Sequence, residues 1–293
     1  MGMLDQKGPG GALTTDQAAN YWQDGYLFPL RVMSEEAAAA ARWELEAVER
    51  KWLDNGLPLP LNTYKRVNAH VVMPLAARMA RLPAVLDAVE SILGSDILIY
   101  AAEFFIKEPR TRQIVSMHQD LTYWGLGAID GLVTAWIALS PSTRASGCMD
   151  FVAHSHKNPI LPHEDTFDAD NLLSRGQEVK VAVADEDRVA IELAPGEMSL
   201  HHGLTIHGSG PNVSDDRRIG LVIRYIRPDM RQEAGERDYV MAARGEDRFG
   251  HFVHVAAPEK NFAVEAMENY LEIRKAKSKI MMRGATGKSG VYG

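Results

Sequence analysis

Cysteine is almost absent from this chain of 293 residues, which contains Cys148 alone. An internal disulfide is therefore excluded, and a reducing compartment fits this composition. We expect Cys148 to be a packed side chain.

Long hydrophobic runs are missing as well. No apolar stretch approaches the roughly 20 residues that a membrane-spanning helix needs. Residues 1–15 are rich in glycine and polar side chains, and they lack the basic start and apolar run of a signal peptide. These absences predict a cytoplasmic protein with no membrane partner.

Basic residues are fewer than acidic ones. The chain has 32 lysines and arginines and 39 aspartates and glutamates, which give a net charge of -7 at pH 7. A surface that follows nucleic-acid phosphates needs clustered basic residues, so we expect no nucleic-acid partner. Internal repeats at solenoid periods are also absent. The hydrophobic content of 46% is ample for a sizeable core. The sequence is compatible with a homo-oligomer but does not fix the oligomeric state.

The first third of the chain has helical patterns. Residues 16–23 predict a short helix, and an apolar strand is expected at 26–30. Ser34 precedes two glutamates and is typical of an N-cap, so it predicts the start of an alanine-rich amphipathic helix over 35–52. A further helix is expected at 82–93.

From Asp96 onward the pattern changes to short β-rich runs separated by turn residues. Strands are expected at 97–107, 114–118, 133–140, 179–183, 189–193, 197–202 and 218–225. A helix is expected at 259–279. Helices followed by many strands indicate a mainly β barrel or sandwich with flanking helices. We expect a single domain over 16–280, between a flexible N-terminus (1–15) and a flexible tail (281–293).

The sharpest local feature is the sequence His118-Gln119-Asp120 after an apolar run. On an extended strand, residues two apart point to the same side, so the imidazole and the carboxylate can share one metal ion. Two histidines and one carboxylate leave three octahedral positions open, as in non-haem Fe(II) oxygenases. His-x-Asp alone is equally typical of a polar strand end, so a third ligand is required.

His207 is the candidate third ligand, just after one predicted strand and before another that begins at Arg218. An arginine in this position suits a 2-oxoglutarate site, because a guanidinium pairs bidentately with a carboxylate. The rival histidines are His201, His202, His154, His156 and His163.

Around these residues the sequence resembles the phytanoyl-CoA dioxygenase family of Fe(II)- and 2-oxoglutarate-dependent oxygenases. The family pattern has a His-x-Asp pair, a distal histidine and an arginine eleven residues later, and His207 and Arg218 have that spacing. Further similar stretches lie at 24–26, 105–109, 117–124, 134–139, 147–149 and 207–212. The resemblance covers roughly residues 20–230.

The resemblance implies a double-stranded β-helix, that is, a cupin-like jelly-roll core with flanking helices. It implies that His118, Asp120 and His207 bind Fe(II), with 2-oxoglutarate and O₂ as co-substrates. Arg218 would bind the C5 carboxylate of 2-oxoglutarate, and Trp136 would line its pocket. Related halogenases lack the carboxylate ligand, so the presence of Asp120 favours oxygenation over chlorination.

One departure concerns the loop after residue 149. The family often has Pro-Gly-Ser-His there, whereas this chain has Ala153-His154-Ser155-His156. His154 is therefore a candidate for substrate contact, with a loop-packing role as the alternative.

The other candidate substrate-binding residues are Tyr123, Trp124, Gln119 and Lys107. Aromatic faces can hold a quaternary ammonium by cation–π attraction, with ordinary packing as the alternative. The basic residues Arg144, Lys157 and Arg224 would instead meet a carboxylate or phosphonate. We expect hydroxylation of a small polar metabolite of one of these kinds, with release of succinate and CO₂.

Three other functions stay open at this point. A cupin-like isomerase or hydrolase would use a similar triad without 2-oxoglutarate, and a hydroxylase of an acyl thioester would fit the family name. A non-catalytic binding protein would be expected to have lost a triad residue or Arg218. The segment 257–279 is expected to form a lid, a dimer contact or ordinary surface packing.

Overall fold

Two facing β-sheets form the centre of the computed structural model, and helices cover the outer face of the larger sheet. The structure describes residues 11–54, 56–122, 124–127, 130–235, 237–285, 287 and 289.

The α-helices of the described residues lie mostly in the first third of the chain. They are α1 (Thr15–Asp24), α2 (Glu35–Trp52), α3 (Leu61–Arg66), α4 (Ala69–Val72), α5 (Pro74–Met79), α6 (Pro83–Leu93) and α7 (Val264–Met281). The side chains of Thr14 and Ser34 accept hydrogen bonds from backbone N–H groups in the first turns of α1 and α2. The helices predicted at 16–23, 35–52 and 82–93 are thereby confirmed.

The sequence did not predict α3, α4 and α5, which have four to six residues each. Asn68, in the left-handed region at φ 46°, separates α3 from α4, and Pro74 begins α5. Helices this short carry too few turns for a recognisable 3.6-residue period. The last helix begins at Val264 rather than residue 259, because Phe262 has a left-handed backbone conformation at φ 55° that a helix cannot contain.

The strands are short apart from β2 and β11. They are β1 (Tyr26–Arg31), β2 (Ile97–Lys107), β3 (Val115–His118), β4 (Leu132–Ala138), β5 (Met149–Val152), β6 (His163–Asp165), β7 (Gln177–Val179), β8 (Arg188–Ile191), β9 (Glu197–His202), β10 (His207–Ser209), β11 (Arg218–Ile226), β12 (Tyr239–Arg244) and β13 (Val253–His254). The larger sheet has the order β1-β9-β4-β11-β2-β12-β13, and the smaller has the order β3-β10-β5-β8. Strands β6 and β7 form a separate pair.

Every residue of the central strands β4 and β11 is buried, because both faces of the larger sheet are covered. Alternate residues of β4, Val133, Ala135 and Ile137, pack with the helices. Trp136 and Ala138 point the other way and pack with Met149 and Phe151 of β5 in the smaller sheet. The two facing sheets, antiparallel except for the pair β12–β13, form the jelly-roll core that the family resemblance implied.

The strand predicted at 179–183 is wrong in position. Strand β7 ends at Val179, where it pairs with His163 of β6, and residues 180–183 form no strand. The side chain of Val181 is 39% exposed. The alternating valines of this segment resemble a half-buried strand, but no neighbouring strand is there to pair with them. Among the helices that the structure describes, none is long and apolar enough to cross a membrane.

Gly147 is the residue of the β4–β5 connection whose substitution should be most damaging. Its φ is +71°, and a Cβ there would lie 2.4 Å from the carbonyl oxygen of Gly210. We expect Gly147→Ala to lower the free energy of unfolding by about 1–3 kcal/mol, measured by urea denaturation. Gly210→Ala is the control, because its Cβ would meet no heavy atom within 4 Å. Equal losses in the two variants would contradict the backbone explanation.

Candidate active site

Three buried side chains, His118, Asp120 and His207, converge between the two sheets. Their possible ligand atoms lie within 4.8 Å of one another, and no other such group of histidine, cysteine or acidic residues occurs in the described part of the chain. His118 ends β3, His207 begins β10, and these strands are antiparallel neighbours with the two histidines as register partners. The pairing of two strands therefore brings together residues far apart in the sequence.

Asp120 reaches the site by a different route from the one that the sequence suggested. Strand β3 ends at His118, and Asp120 opens a short 3-10 turn, Asp120–Thr122. The backbone N–H of Leu121 fixes this turn by donating to the carbonyl of Gly203 at 3.0 Å. Asp120 Oδ1 then lies 3.6 Å from His118 Nε2. The two side chains do converge, but a turn rather than strand alternation places the carboxylate.

Both imidazoles of the triad are held by backbone carbonyl groups. His118 Nδ1 lies 2.9 Å from the carbonyl oxygen of Ser116, and His207 Nδ1 lies 2.9 Å from that of Thr205. A carbonyl oxygen can only accept, so Nδ1 carries the hydrogen and Nε2 keeps its lone pair. Burial and the neighbouring imidazoles hold the pKa of His207 well below its usual value. These two rings present the nitrogen lone pairs that a metal requires.

The carboxylate of Asp120 faces a polar row formed by Arg224, Thr134 and His201. These residues are register partners across the adjacent strands β11, β4 and β9. The hydroxyl of Thr134 donates to Asp120 Oδ2 at 2.9 Å, and His201 Nε2 lies 3.5 Å from the same oxygen. Burial by itself raises the pKa of Asp120, but the Arg224 charge and contacts with His118 and His201 outweigh it and hold that pKa well below its usual range.

Arg224 lies between two carboxylates. Its Nη2 lies 3.6 Å from Asp120 Oδ1, and its Nη1 donates to Glu103 Oε2 at 2.8 Å. Its guanidinium carbon also lies 4.5 Å from the ring centroid of Trp124. The second carboxylate fixes Arg224 beside Asp120.

Two cavities meet at the triad. The inner cavity lies between the sheets, and the outer cavity opens on the other side of the triad. Their shared lining residues are Phe105, His118, Asp120, Leu173 and Arg224. A group held at the triad would therefore face both spaces.

Arg218 lines the inner cavity and is fully buried. Its Nη1 donates to the carbonyl of Gly147 at 2.5 Å, while its Nε has no hydrogen-bond partner among the described residues. The guanidinium carbon lies 5.3 Å from the ring centroid of Trp136. Gly220 makes room for that indole, since a Cβ at position 220 would lie 2.0 Å from it. Burial lowers the pKa of Arg218 to about 10.

Lys107 is the register partner of Arg218 on β2 and is also buried. Its ammonium donates to the hydroxyl of Ser209 at 2.7 Å and to the carbonyl of Gly210. Burial, followed by the charge of Arg218, lowers the pKa of Lys107 to about 6. It lines neither cavity, so this candidate substrate residue lies beside Arg218 and outside both cavities.

The outer cavity is lined partly by helix α7, through Lys277 and Met281. The Lys277 ammonium lies 2.5 Å from Asp238 Oδ1 and 3.3 Å from the ring centroid of Tyr100, another lining residue. Helix α7 therefore forms part of the wall of this cavity, a role that was not among those expected for the segment 257–279.

The other sequence-predicted substrate residues are dispersed. Trp124 lines the outer cavity. Gln119 also borders it, but its side chain is bound by the backbone of Leu204 and of the 159–161 loop. His154 is exposed, with Nδ1 2.9 Å from the carbonyl oxygen of Gln23, and it lines neither cavity. Tyr123 lies outside the described residues. Arg144 and Lys157 are exposed and line neither cavity.

The rival histidines are engaged elsewhere, except for His201. His202 Nε2 lies 3.1 Å from Asp130 Oδ1, and His156 Nε2 lies 3.0 Å from the carbonyl of Trp22. His163 Nε2 lies 3.1 Å from the backbone nitrogen of Gln119. From the sequence, Arg224 was a candidate contact for an anionic substrate and His201 was a rival ligand, but the row that they form with Thr134 was not predicted. The sequence feature that could have revealed this row is a polar residue within an otherwise apolar strand. Thr134 in Leu132–Ala138 and Arg224 in Arg218–Ile226 are such residues.

Substitution of Thr134 tests how much the polar row stabilises the buried charge of Asp120. We expect Thr134→Val to lower the free energy of unfolding at pH 7 by about 1–3 kcal/mol, because Asp120 Oδ2 loses its close donor. The folded-state pKa of Asp120 is depressed, so its stabilising contribution is present above the unfolded value and is lost as the pH falls through the folded one. The loss should begin at the same pH in the variant and the wild type, but it should level off at a higher pH in the variant because Thr134→Val raises the folded-state pKa of Asp120. Thr134→Ser should resemble the wild type in urea unfolding at each pH.

Comparisons with known proteins agree with this geometry. The family model described as phytanoyl-CoA dioxygenase matches residues 21–220. A probable phytanoyl-CoA dioxygenase of Caenorhabditis elegans is 24% identical over 250 residues, covering 78% of this chain and 80% of the relative. The L-proline trans-4-hydroxylase of Streptomyces griseoviridis is 26% identical over 233 residues, covering 72% of this chain and 86% of the relative.

A solved structure of the non-heme monooxygenase ThoJ in its apo form is 30% identical. It superposes with a TM-score of 0.83 over 92% of this chain and 98% of its own. The family match spans well over half of the chain and includes both strands that carry the histidines of the triad. This protein therefore belongs to the phytanoyl-CoA dioxygenase family of Fe(II)- and 2-oxoglutarate-dependent oxygenases.

Proposed function

We propose that this protein is an Fe(II)- and 2-oxoglutarate-dependent dioxygenase that hydroxylates a small polar metabolite and releases succinate and CO₂. The observation that carries the proposal is the position of the triad. It lies where the inner cavity, lined by the buried cation Arg218, meets a second, outer cavity.

His118, Asp120 and His207 are the residues that would hold the metal. Two neutral imidazoles and one carboxylate form the donor set that Fe(II) oxygenases use, and they leave three octahedral positions for co-substrate and O₂. The carbonyl contacts of both Nδ1 atoms fit metal binding through Nε2.

Arg218 and Trp136 are the residues that would bind 2-oxoglutarate. A dicarboxylate spanning the inner cavity would bring one carboxylate to the triad and the other to the guanidinium. The unpartnered Nε of Arg218 supports this, because buried donors in proteins are rarely left unsatisfied. The apolar lining residues Phe105, Val222 and Met149 would keep water away from the charged pair.

Bound iron, 2-oxoglutarate and O₂ supply the oxidising chemistry, so the protein needs no nucleophile of its own. The residues of the chain bind and orient the reactants. The polar row holds the Asp120 carboxylate, and the outer cavity positions a substrate C–H bond against the open side of the triad.

The lining of the outer cavity favours a substrate with a carboxylate or phosphonate over a quaternary ammonium. Trp124 and Tyr100 each have a cation of the protein over the ring, Arg224 at 4.5 Å and Lys277 at 3.3 Å from the ring centroid. Those aromatic faces are already engaged in cation–π contacts. Arg66 adds a third cationic side chain to the lining. The similar L-proline trans-4-hydroxylase acts, by its name, on proline, which is a small zwitterion. This similarity supports a substrate of comparable size and polarity for this protein.

An anaerobic titration tests the cofactor chemistry. We expect that adding Fe(II) and then 2-oxoglutarate to the metal-free protein gives the visible metal-to-ligand charge-transfer band of a chelated keto acid. His207→Ala should lose the band because a ligand is missing, and His154→Ala should retain it because His154 lines neither cavity. Bound iron without a band in the wild type would refute the proposal in favour of a metal-dependent isomerase or hydrolase.

Arg218 can be tested separately from the metal. We expect Arg218→Lys to weaken 2-oxoglutarate binding about 10- to 100-fold, since a charge-assisted hydrogen bond contributes about 1.5–3 kcal/mol. Fe(II) affinity should be unchanged. The matched control is Arg217→Lys, because Arg217 lies next in sequence but is bound to Glu49 and Glu108 outside the cavities. Equal affinities for 2-oxoglutarate in both variants would contradict the assignment.

A further inference from the structure

His201 is a buried imidazole beside the triad, and it is the member of the polar row that has no close hydrogen bond among the described residues. It is 1% exposed and lines the inner cavity. Neither of its ring nitrogens has a hydrogen-bond partner among the described residues. An unsatisfied buried polar group costs about 1–3 kcal/mol, so its presence here requires an explanation.

The surrounding strands hold His201 in this position. Alternation along β9 turns Met198 and Leu200 toward the helices and His201 toward the space between the sheets. The His201 ring packs against Phe151 and His207, with centroid distances of 4.9 Å and 4.6 Å. The side chain is enclosed on both sides and faces the triad.

His201 does not belong to the ligand set itself. The group of mutually close ligand atoms contains His118, Asp120 and His207 and does not include it. A fourth protein ligand would also leave only two octahedral positions, too few for a chelating 2-oxoacid and O₂ together.

The two oxygens of Asp120 have different neighbours. Oδ1 lies 3.6 Å from His118 Nε2 on the side of the triad, and it also lies 3.6 Å from Arg224 Nη2. Oδ2 accepts from Thr134 at 2.9 Å and lies 3.5 Å from His201 Nε2. This second distance is longer than a well-formed hydrogen bond, and such active-site contacts commonly tighten when the site is loaded.

We propose that His201 is a positioning residue that donates from Nε2 to Oδ2 of Asp120 and, with Thr134, restricts the carboxylate to binding the metal through Oδ1 alone. The inference rests on the proposed function, because one-oxygen binding matters only if an open coordination position must be kept. Without His201, Thr134 alone would hold Oδ2, and this oxygen would be freer to turn toward the metal and occupy that position.

The test uses the full-length, metal-free protein and Co(II) as the probe, with calorimetry for affinity and the visible spectrum for coordination. We expect His201→Phe to weaken Co(II) binding about 10- to 100-fold, as is usual when a residue that orients a ligand is lost. Its visible spectrum should also change, because a second carboxylate oxygen alters the coordination. His201→Gln supplies an amide donor and should recover at least part of the affinity and the wild-type spectrum.

The matched control is His202→Phe. His202 is the next buried histidine of β9, but its contacts are Asp130 and the backbone of Leu204. This variant should keep the wild-type affinity for Co(II) and the wild-type spectrum even if its thermal stability falls.

The outcomes separate the two proposals. If the wild type binds no Co(II), the proposed function itself fails. If the wild type binds Co(II) and His201→Phe matches it in affinity and spectrum, the role of His201 is refuted and the proposed function stands. If His201→Phe does not fold, His201→Gln decides: a wild-type spectrum supports the donor role, and a folded protein with an altered spectrum and weakened binding refutes it.

Discussion

The burial of one negative charge, that of Asp120, is the constraint on which the rest of this structure depends. An ionised carboxylate in a protein interior is costly unless it is paired and hydrogen-bonded. Here the compensation comes from Arg224, Thr134 and His201, one on each of three adjacent strands. These largely apolar central strands thus carry polar side chains at positions that are register partners of one another. The polar side chains face the turn that presents Asp120.

The burial of Asp120 against the larger sheet also explains why that sheet lies between the helices and the smaller sheet. Strands β4 and β11 pack helices on one face and must face the smaller sheet on the other, where the polar row and the inner cavity lie. Along the same inner face, Arg218 and Lys107 lie side by side and form no ion pair with any carboxylate in the described part of the chain. Burial lowers the pKa of Arg218 to about 10 and that of Lys107 to about 6. At neutral pH, Arg218 therefore keeps its charge and Lys107 is mostly uncharged. A buried cation without a carboxylate partner supports the proposed binding of an organic anion at Arg218.

The elements that the sequence predicted best are those with long, regular patterns. Strand 97–107 is a long apolar run, and the helix over 35–52 has enough residues for its amphipathic period to be recognised. The three short helices between residues 61 and 79 and strand β10 have too few residues for that. The segment 179–183 has a strand-like pattern, and only the missing neighbour decides against it.

The sequence by itself determined the family, the jelly-roll core and the candidate ligands, because residue type and spacing along the chain carry that information. It could not determine that His118 and His207 are cross-strand partners, or that a turn places Asp120 between them. The tertiary structure alone decided which of several histidines faces the carboxylate, placing His201 there and His154 at the surface. The physical reason is that strand pairing joins residues remote in sequence, and their contacts depend on a register that local patterns do not encode.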